Sequence, residues 1–142
     1  TMTFDSEGGS AVTAITQNYN TQIAKPADPT LTGYTFAGWY DGDNGTGNAI
    51  TFPYTITDDV TVYAKWTLNV YTVTFDAQNG TANIDVSGSI ENPVNAPATA
   101  PTKTGYTFSG WYTAPNGGGT GLIANYVPTA DITFYAKWTL NV

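Results

Sequence analysis

The sequence predicts a mostly β protein, α+β at most, made of one small unit written twice. Three observations predict it. The block "GYTFAGWY" at 33–40 recurs as "GYTFSGWY" at 105–112, and "YAKWTLNV" at 63–70 recurs unchanged at 135–142. Around those blocks apolar and polar residues alternate, which is the period of a strand buried on one face. Glycine, asparagine and proline punctuate the intervals, where a chain must turn.

The two copies align from the start. "TFD" at 3–5 returns at 74–76, a separation of 71 positions, and "PADPTLTG" faces "PATAPTKTG", whose extra residue raises the separation to 72 for the rest of the chain. The first module is therefore 1–70 and the second 71–142, each with about four strands and a crossing connection. In the first strand Met2 and Phe4, matched by Val73 and Phe75, form the apolar face. Gly8-Gly9 and Asn79-Gly80 are expected to supply the positive φ of a hairpin turn. A second strand is expected at 12–15 and at 83–86. The proline-bearing stretch 22–32 lacks ladder donors, so it reads as the crossing connection, with one short helical turn.

The third strand, 34–40, carries large rings on both faces. Tyr34, Phe36, Gly38 and Tyr40 share one side, and Thr35, Ala37 and Trp39 the other. Glycine inside a strand predicts a bulge, so Gly38 and Gly110 are expected to re-aim the tryptophans that follow them. In the last strand Val60, Val62, Ala64 and Trp66 face inward and Thr61, Tyr63 and Lys65 outward; the second copy repeats the pattern with Ile132, Phe134, Ala136 and Trp138. No flexible linker separates the copies, which predicts a restricted joint and an extended rod.

Composition excludes several classes of function. Eleven carboxylates against four lysines, with no arginine, give a net charge of −7. Nucleic acids and anionic membranes both require the opposite sign. The absence of cysteine and histidine removes disulfides, thiol nucleophiles and imidazole metal sites. No apolar run approaches a bilayer span, so no membrane insertion is expected of this stretch.

"GYTFAGWY" followed by "VTVYAKW", with "TFD" and a proline-rich connection before them, resembles the Listeria–Bacteroides repeat, the B repeat of bacterial internalins. The resemblance covers the whole chain as two tandem copies. It implies a β-grasp-like unit on an extracellular, cell-surface bacterial protein, and it implies no catalytic residues.

Each copy holds ten aromatic residues, and a unit of this size without a disulfide can spare few of them for contact with a partner. Phe4, Trp39 and Trp66, with Phe75, Trp111 and Trp138, are assigned to the cores. Tyr63 and Tyr135 face outward and are the candidate ligand contacts. "DGDNGTG" at 41–47 offers Asp41 and Asp43 as oxygen ligands for calcium, but the second copy has no acid there and the terminal glutamate of a calcium loop is missing. No metal or cofactor is therefore assigned. Asp5 and Asp59 recur as Asp76 and Asp131 at strand ends, where aspartate commonly accepts backbone N–H groups. The expected function is a non-enzymatic stalk or spacer whose partners are neighbouring repeats. The alternative is an adhesive module that binds host glycan or protein.

Overall fold

The alternation in "VTVYAKW" becomes the central strand of the first unit. The computed structural model describes residues 1–142 and divides them into two units, Thr1–Leu68 and Asn69–Val142. The first contains β1 (Met2–Asp5), β2 (Thr21–Ile23), β3 (Tyr34–Gly42), β4 (Thr46–Ala49), β5 (Tyr54–Ile56) and β6 (Val60–Leu68). The second contains β7 (Tyr71–Asp76), β8 (Ile84–Gly88), β9 (Tyr106–Ala114), β10 (Gly118–Gly121) and β11 (Ile132–Leu140). The protein is thus mostly β.

In the first unit the sheet runs β1-β6-β3-β4, and β2 pairs with β5 as a separate ribbon. In the second it runs β10-β9-β11-β7-β8. First and last strands lie side by side and parallel in both units, β1 with β6 and β7 with β11. The third strand of each unit flanks the last one antiparallel.

Several local expectations give way to finer structure. The units have six and five strands rather than four: the glycine-rich stretches after β3 and β9 pair back as β4 and β10, and the first unit also gains the short pair β2 and β5 while lacking a strand at 12–15. The crossing connection holds no helical turn. It begins instead with β2, and the only helical geometry is a short 3-10 turn at Asp43–Gly45 and Pro115–Gly117. The segment 12–15 is not a strand. Only Ile15 pairs with β1, exchanging hydrogen bonds of 2.8 and 2.9 Å with Met2, because Ser10 N–H is drawn to the Thr30 carbonyl at 2.8 Å and pulls the chain away. In the second unit β8 runs alongside β7 from Ile84 to Gly88.

The turn after the first strand also differs. Positive φ falls on Glu7 and Gly8, and on Gln78 and Gly80, leaving Gly9 and Asn79 in ordinary conformations. The aspartates explain this, since Asp5 Oδ1 accepts Glu7 N–H and Asp76 Oδ1 accepts Gln78 N–H, each at 2.9 Å. Gly9 answers a different need: a Cβ there would stand 2.4 Å from the Trp66 ring.

Each unit closes its own core. Met2, Phe4, Ile23, Trp39, Ile56, Val62 and Ala64 form the first; Val73, Phe75, Ala77, Val94, Trp111, Phe134 and Ala136 form the second. Phe36 lies opposite Trp66 and Trp39 opposite Ala64, so β3 spends one residue more than β6 between the same two points. The extra residue is absorbed at Gly38, with φ of +116°, and at Gly110, with φ of +113°. This bulge puts Trp39 on the face of Phe36, where the rings meet edge to face at 5.3 Å, and the second unit repeats the distance between Phe108 and Trp111. Trp39 and Trp111 are 2% and 6% exposed.

Trp66 and Trp138 are half-buried at the core edge. Their indole N–H groups donate to the Ser6 and Ala77 carbonyls at 2.9 and 2.8 Å, which fixes the ring at the rim where a loop carbonyl is available. The Trp39 indole nitrogen, by contrast, is buried without a partner.

Candidate functional site

The outward rings do not stand alone. The same bulge that turns Trp39 inward turns Tyr40 outward, and Tyr40 then lies directly opposite Tyr63. On the other side of Tyr63 stands Asp5 of β1. The second unit builds the same row from Asp76, Tyr135 and Tyr112. Directly opposed residues share a face with Cβ atoms about 4.5–5.5 Å apart, so the two tyrosines of each pair start from neighbouring points on the outer face.

A lysine completes each face. Lys65 Nζ lies 5.0 Å from the centre of the Tyr40 ring, and Lys137 Nζ lies 5.6 Å from that of Tyr112. Such contacts between a cation and an aromatic face stabilise the pair modestly at half-exposed sites. The lysine stems are held in place by the 3-10 turns, which fold over them. A Cβ on Gly45 would meet Lys65 Cβ at 2.4 Å, and one on Gly117 would meet Lys137 Cδ at 2.6 Å. Only glycine permits that approach, at φ of +69° and +75°.

Tyr63 and Tyr135 are half-buried rather than free. Tyr40 and Tyr112, their cross-strand partners, were missed in the sequence because uninterrupted alternation puts them on the opposite face. The signal was present in Gly38 and Gly110, had the bulge been counted through to the next residue. Chemically, each face offers tyrosine rings with their phenol hydroxyls, one cation and, at the end of the row, the carboxylate of Asp5 or Asp76. That combination suits stacking and hydrogen bonding and contains no nucleophile with a base.

The acids serve the backbone. Asp131 Oδ1 accepts Thr72 N–H at 2.8 Å, and Asp59 Oδ1 receives the Thr1 amino group at the corresponding place, 2.7 Å away. Asp41 accepts the Asn48 N–H at 2.7 Å and its side-chain amide at 3.2 Å. In the second unit the Thr113 hydroxyl takes over, accepting Thr120 N–H at 2.9 Å. An acid that a neutral hydroxyl replaces is acting as a turn acceptor. No three acids converge as a metal cage would require.

The sequence profile of the Listeria-Bacteroides repeat domain matches residues 1–65 and 71–137. Internalin H of Listeria monocytogenes serovar 1/2a is 40% identical over 146 residues, covering 99% of this chain and 25% of its own length. Two Evansella cellulosilytica proteins that carry membrane-protein names are also similar. One, described as Gly-rich, is 34% identical over 100% of this chain and 16% of its own length; the other is 32% identical over 99% and 21%. The chain thus spans a quarter or less of the relatives it matches. No helix in it is long and apolar enough to cross a membrane.

Proposed function

Because the chain belongs to the Listeria-Bacteroides repeat domain family, with one copy of the repeat in each of its units, we propose that it is a non-catalytic repeat module of a bacterial surface protein, acting as a spacer that projects other domains. One observation carries this reading: the tryptophans are committed to two separate cores, and only Asn69 and Val70 stand between β6 and β7. The parallel pairing of first and last strands supports a β-grasp-like module. A spacer needs a joint of limited freedom. Residual dipolar couplings measured on the intact chain test this, since a spacer requires both units to share one alignment tensor. Two unrelated tensors would refute it.

A second reading is favoured by the repeated tyrosine faces. In it the module is adhesive, and sugar rings stack on Tyr40 with Tyr63 and on Tyr112 with Tyr135. A glycan array on the wild type and on the Tyr63→Ala, Tyr135→Ala double variant decides between the two. Saturable binding lost in a variant that still melts cooperatively establishes adhesion, and an array without saturable binding leaves the spacer.

A further inference from the structure

The second unit ends its sheet on β8, and the first unit has no counterpart to it. The difference starts in the turn. In the first unit Ser10 N–H donates to the Thr30 carbonyl at 2.8 Å and Thr30 N–H to the Ser10 hydroxyl at 2.9 Å, which leaves Ile15 alone to pair with β1. In the second the equivalent Thr81 turns its N–H and hydroxyl onto Asn79 Oδ1, at 3.1 and 2.6 Å, while Asn79 Nδ2 donates to the Thr102 carbonyl at 2.9 Å. The chain then follows β7 for five residues, Ile84–Gly88, without a bulge.

The outer edge of β8 is open. Thr72 N–H points toward β11, where it meets Asp131, so Val73 and Phe75 turn their N–H and C=O groups toward Val86 and Ile84. Backbone direction alternates along a strand, and Asp85 and Ser87 therefore point theirs away from the sheet. Residues 83–87 are all exposed, including Ile84 at 50% and Val86 at 39% on the face that continues Phe75 and Val73. Edges of this kind are ordinarily blunted by lysine, proline or a bulge, and Ile-Asp-Val-Ser-Gly has none of them.

This edge fits its own image, and in one register. Antiparallel pairing must set outward-pointing residues against each other. Alignments that pair more than half of β8 with its image are then only those that set Asp85 opposite Asp85, Ser87 opposite Ser87, or Asp85 opposite Ser87. The first brings like charges face to face. The second requires Ser89 to pair, but Ser89 is 2% exposed and its N–H already donates to the Asn92 carbonyl at 3.0 Å. The third has neither fault and engages all five residues of the strand. Val86 then meets Val86 of the second copy, and Ile84 lies across Gly88, whose bare Cα sits against Val94 and Pro128.

We propose that β8 is a self-pairing edge: two copies of this chain join by antiparallel β8–β8 pairing centred on Val86, so that one sheet runs through both. The contact is the same surface on both sides and the first unit offers no equivalent, so association stops at a pair. The two Asp85 carboxylates stand on a diagonal, about 7–8 Å apart at Cβ, and each copy carries a net charge of −7. Both repulsions are screened by salt, so the pair tightens as salt rises.

Sedimentation velocity over about 10 μM to 1 mM, the range suited to so small a contact, tests this at about 0.05 and 0.5 M NaCl. Wild type should pass from monomer to dimer and no further, with its midpoint at lower protein concentration in the higher salt. Ser87→Pro removes an outward-facing N–H that the fold itself does not use, and should abolish the dimer while the variant still melts cooperatively. Val86→Lys, which sets lysine against lysine, serves if the proline variant fails to fold. The chain has no cysteine, so single cysteines read the register. Val86→Cys should cross-link to its own image under mild oxidation, because non-hydrogen-bonded partners lie about 4.5 Å apart at Cα, and Ile84→Cys should not. Wild type that stays monomeric in both salts overturns the proposal. So do larger assemblies, a dimer that survives the edge variants, or an Ile84→Cys that cross-links as readily as Val86→Cys. An extended peptide of another sequence that adds to β8 of a monomeric wild type would put a different occupant on the edge, which also overturns it.

Discussion

Replacing Gly38 or Gly110 with valine should unfold one unit ahead of the other, and the size of the effect follows from the backbone. A Cβ added at Gly38 would lie 3.7 Å from Tyr40 Cε2, and one at Gly110 would lie 3.4 Å from Tyr112 Cε2. Both are close to ordinary contact, so steric overlap contributes little. The cost comes from holding an L-residue at φ of +116° or +113°. Residues kept in sparsely populated backbone regions cost about 1–3 kcal/mol, and a β-branched side chain lies at the upper end. Urea denaturation followed by tryptophan emission reads this directly. With a slope of about 1 kcal/mol/M for so small a unit, the midpoint of the altered unit should fall by about 1–3 M. Alanine should cost less than valine at the same site. A valine variant within about 0.5 kcal/mol of wild type would refute the bulge as the device that aims Trp39 and Tyr40 to opposite faces.

Trp66→Phe and Trp138→Phe remove the donors to the Ser6 and Ala77 carbonyls and should each cost about 1–3 kcal/mol in a thermal melt; no measurable loss would mean those rim bonds contribute nothing. Asp41→Ala and Thr113→Ala should loosen their turns by about 0.5–1.5 kcal/mol each, and millimolar calcium should leave the wild-type melting temperature where it is. A calcium-dependent rise of several degrees would restore Asp41 and Asp43 as ligands.

Much of the fold was legible because the repeat supplies two readings of each element. Val62 exchanges for Phe134 and Ala64 for Ala136 with the apolar face intact, so the last strand could be read in detail. The bulge was legible from Gly38, but its consequence for Tyr40 was not carried through, so half of each outer aromatic face went unseen. The short pairings were illegible for a physical reason. β2 and β5 have three residues each, too few to show a period, and they are defined by each other across a long loop. The same holds for 12–15, where two tertiary hydrogen bonds between Ser10 and Thr30 draw the chain away from the strand that local preference allows.

The parallel pairing of first and last strands has a consequence under tension. In each unit the chain enters through β1 or β7 and leaves through β6 or β11, and these partners point the same way. A pull on the two ends of a unit therefore slides one strand along the other, loading all the bonds between them at once instead of peeling them one by one. Rupture in that direction is governed by the unfolding rate, not by equilibrium stability. A module anchored at one end and tugged at the other by flow or by a bound cell would hold longest in the direction in which it is pulled.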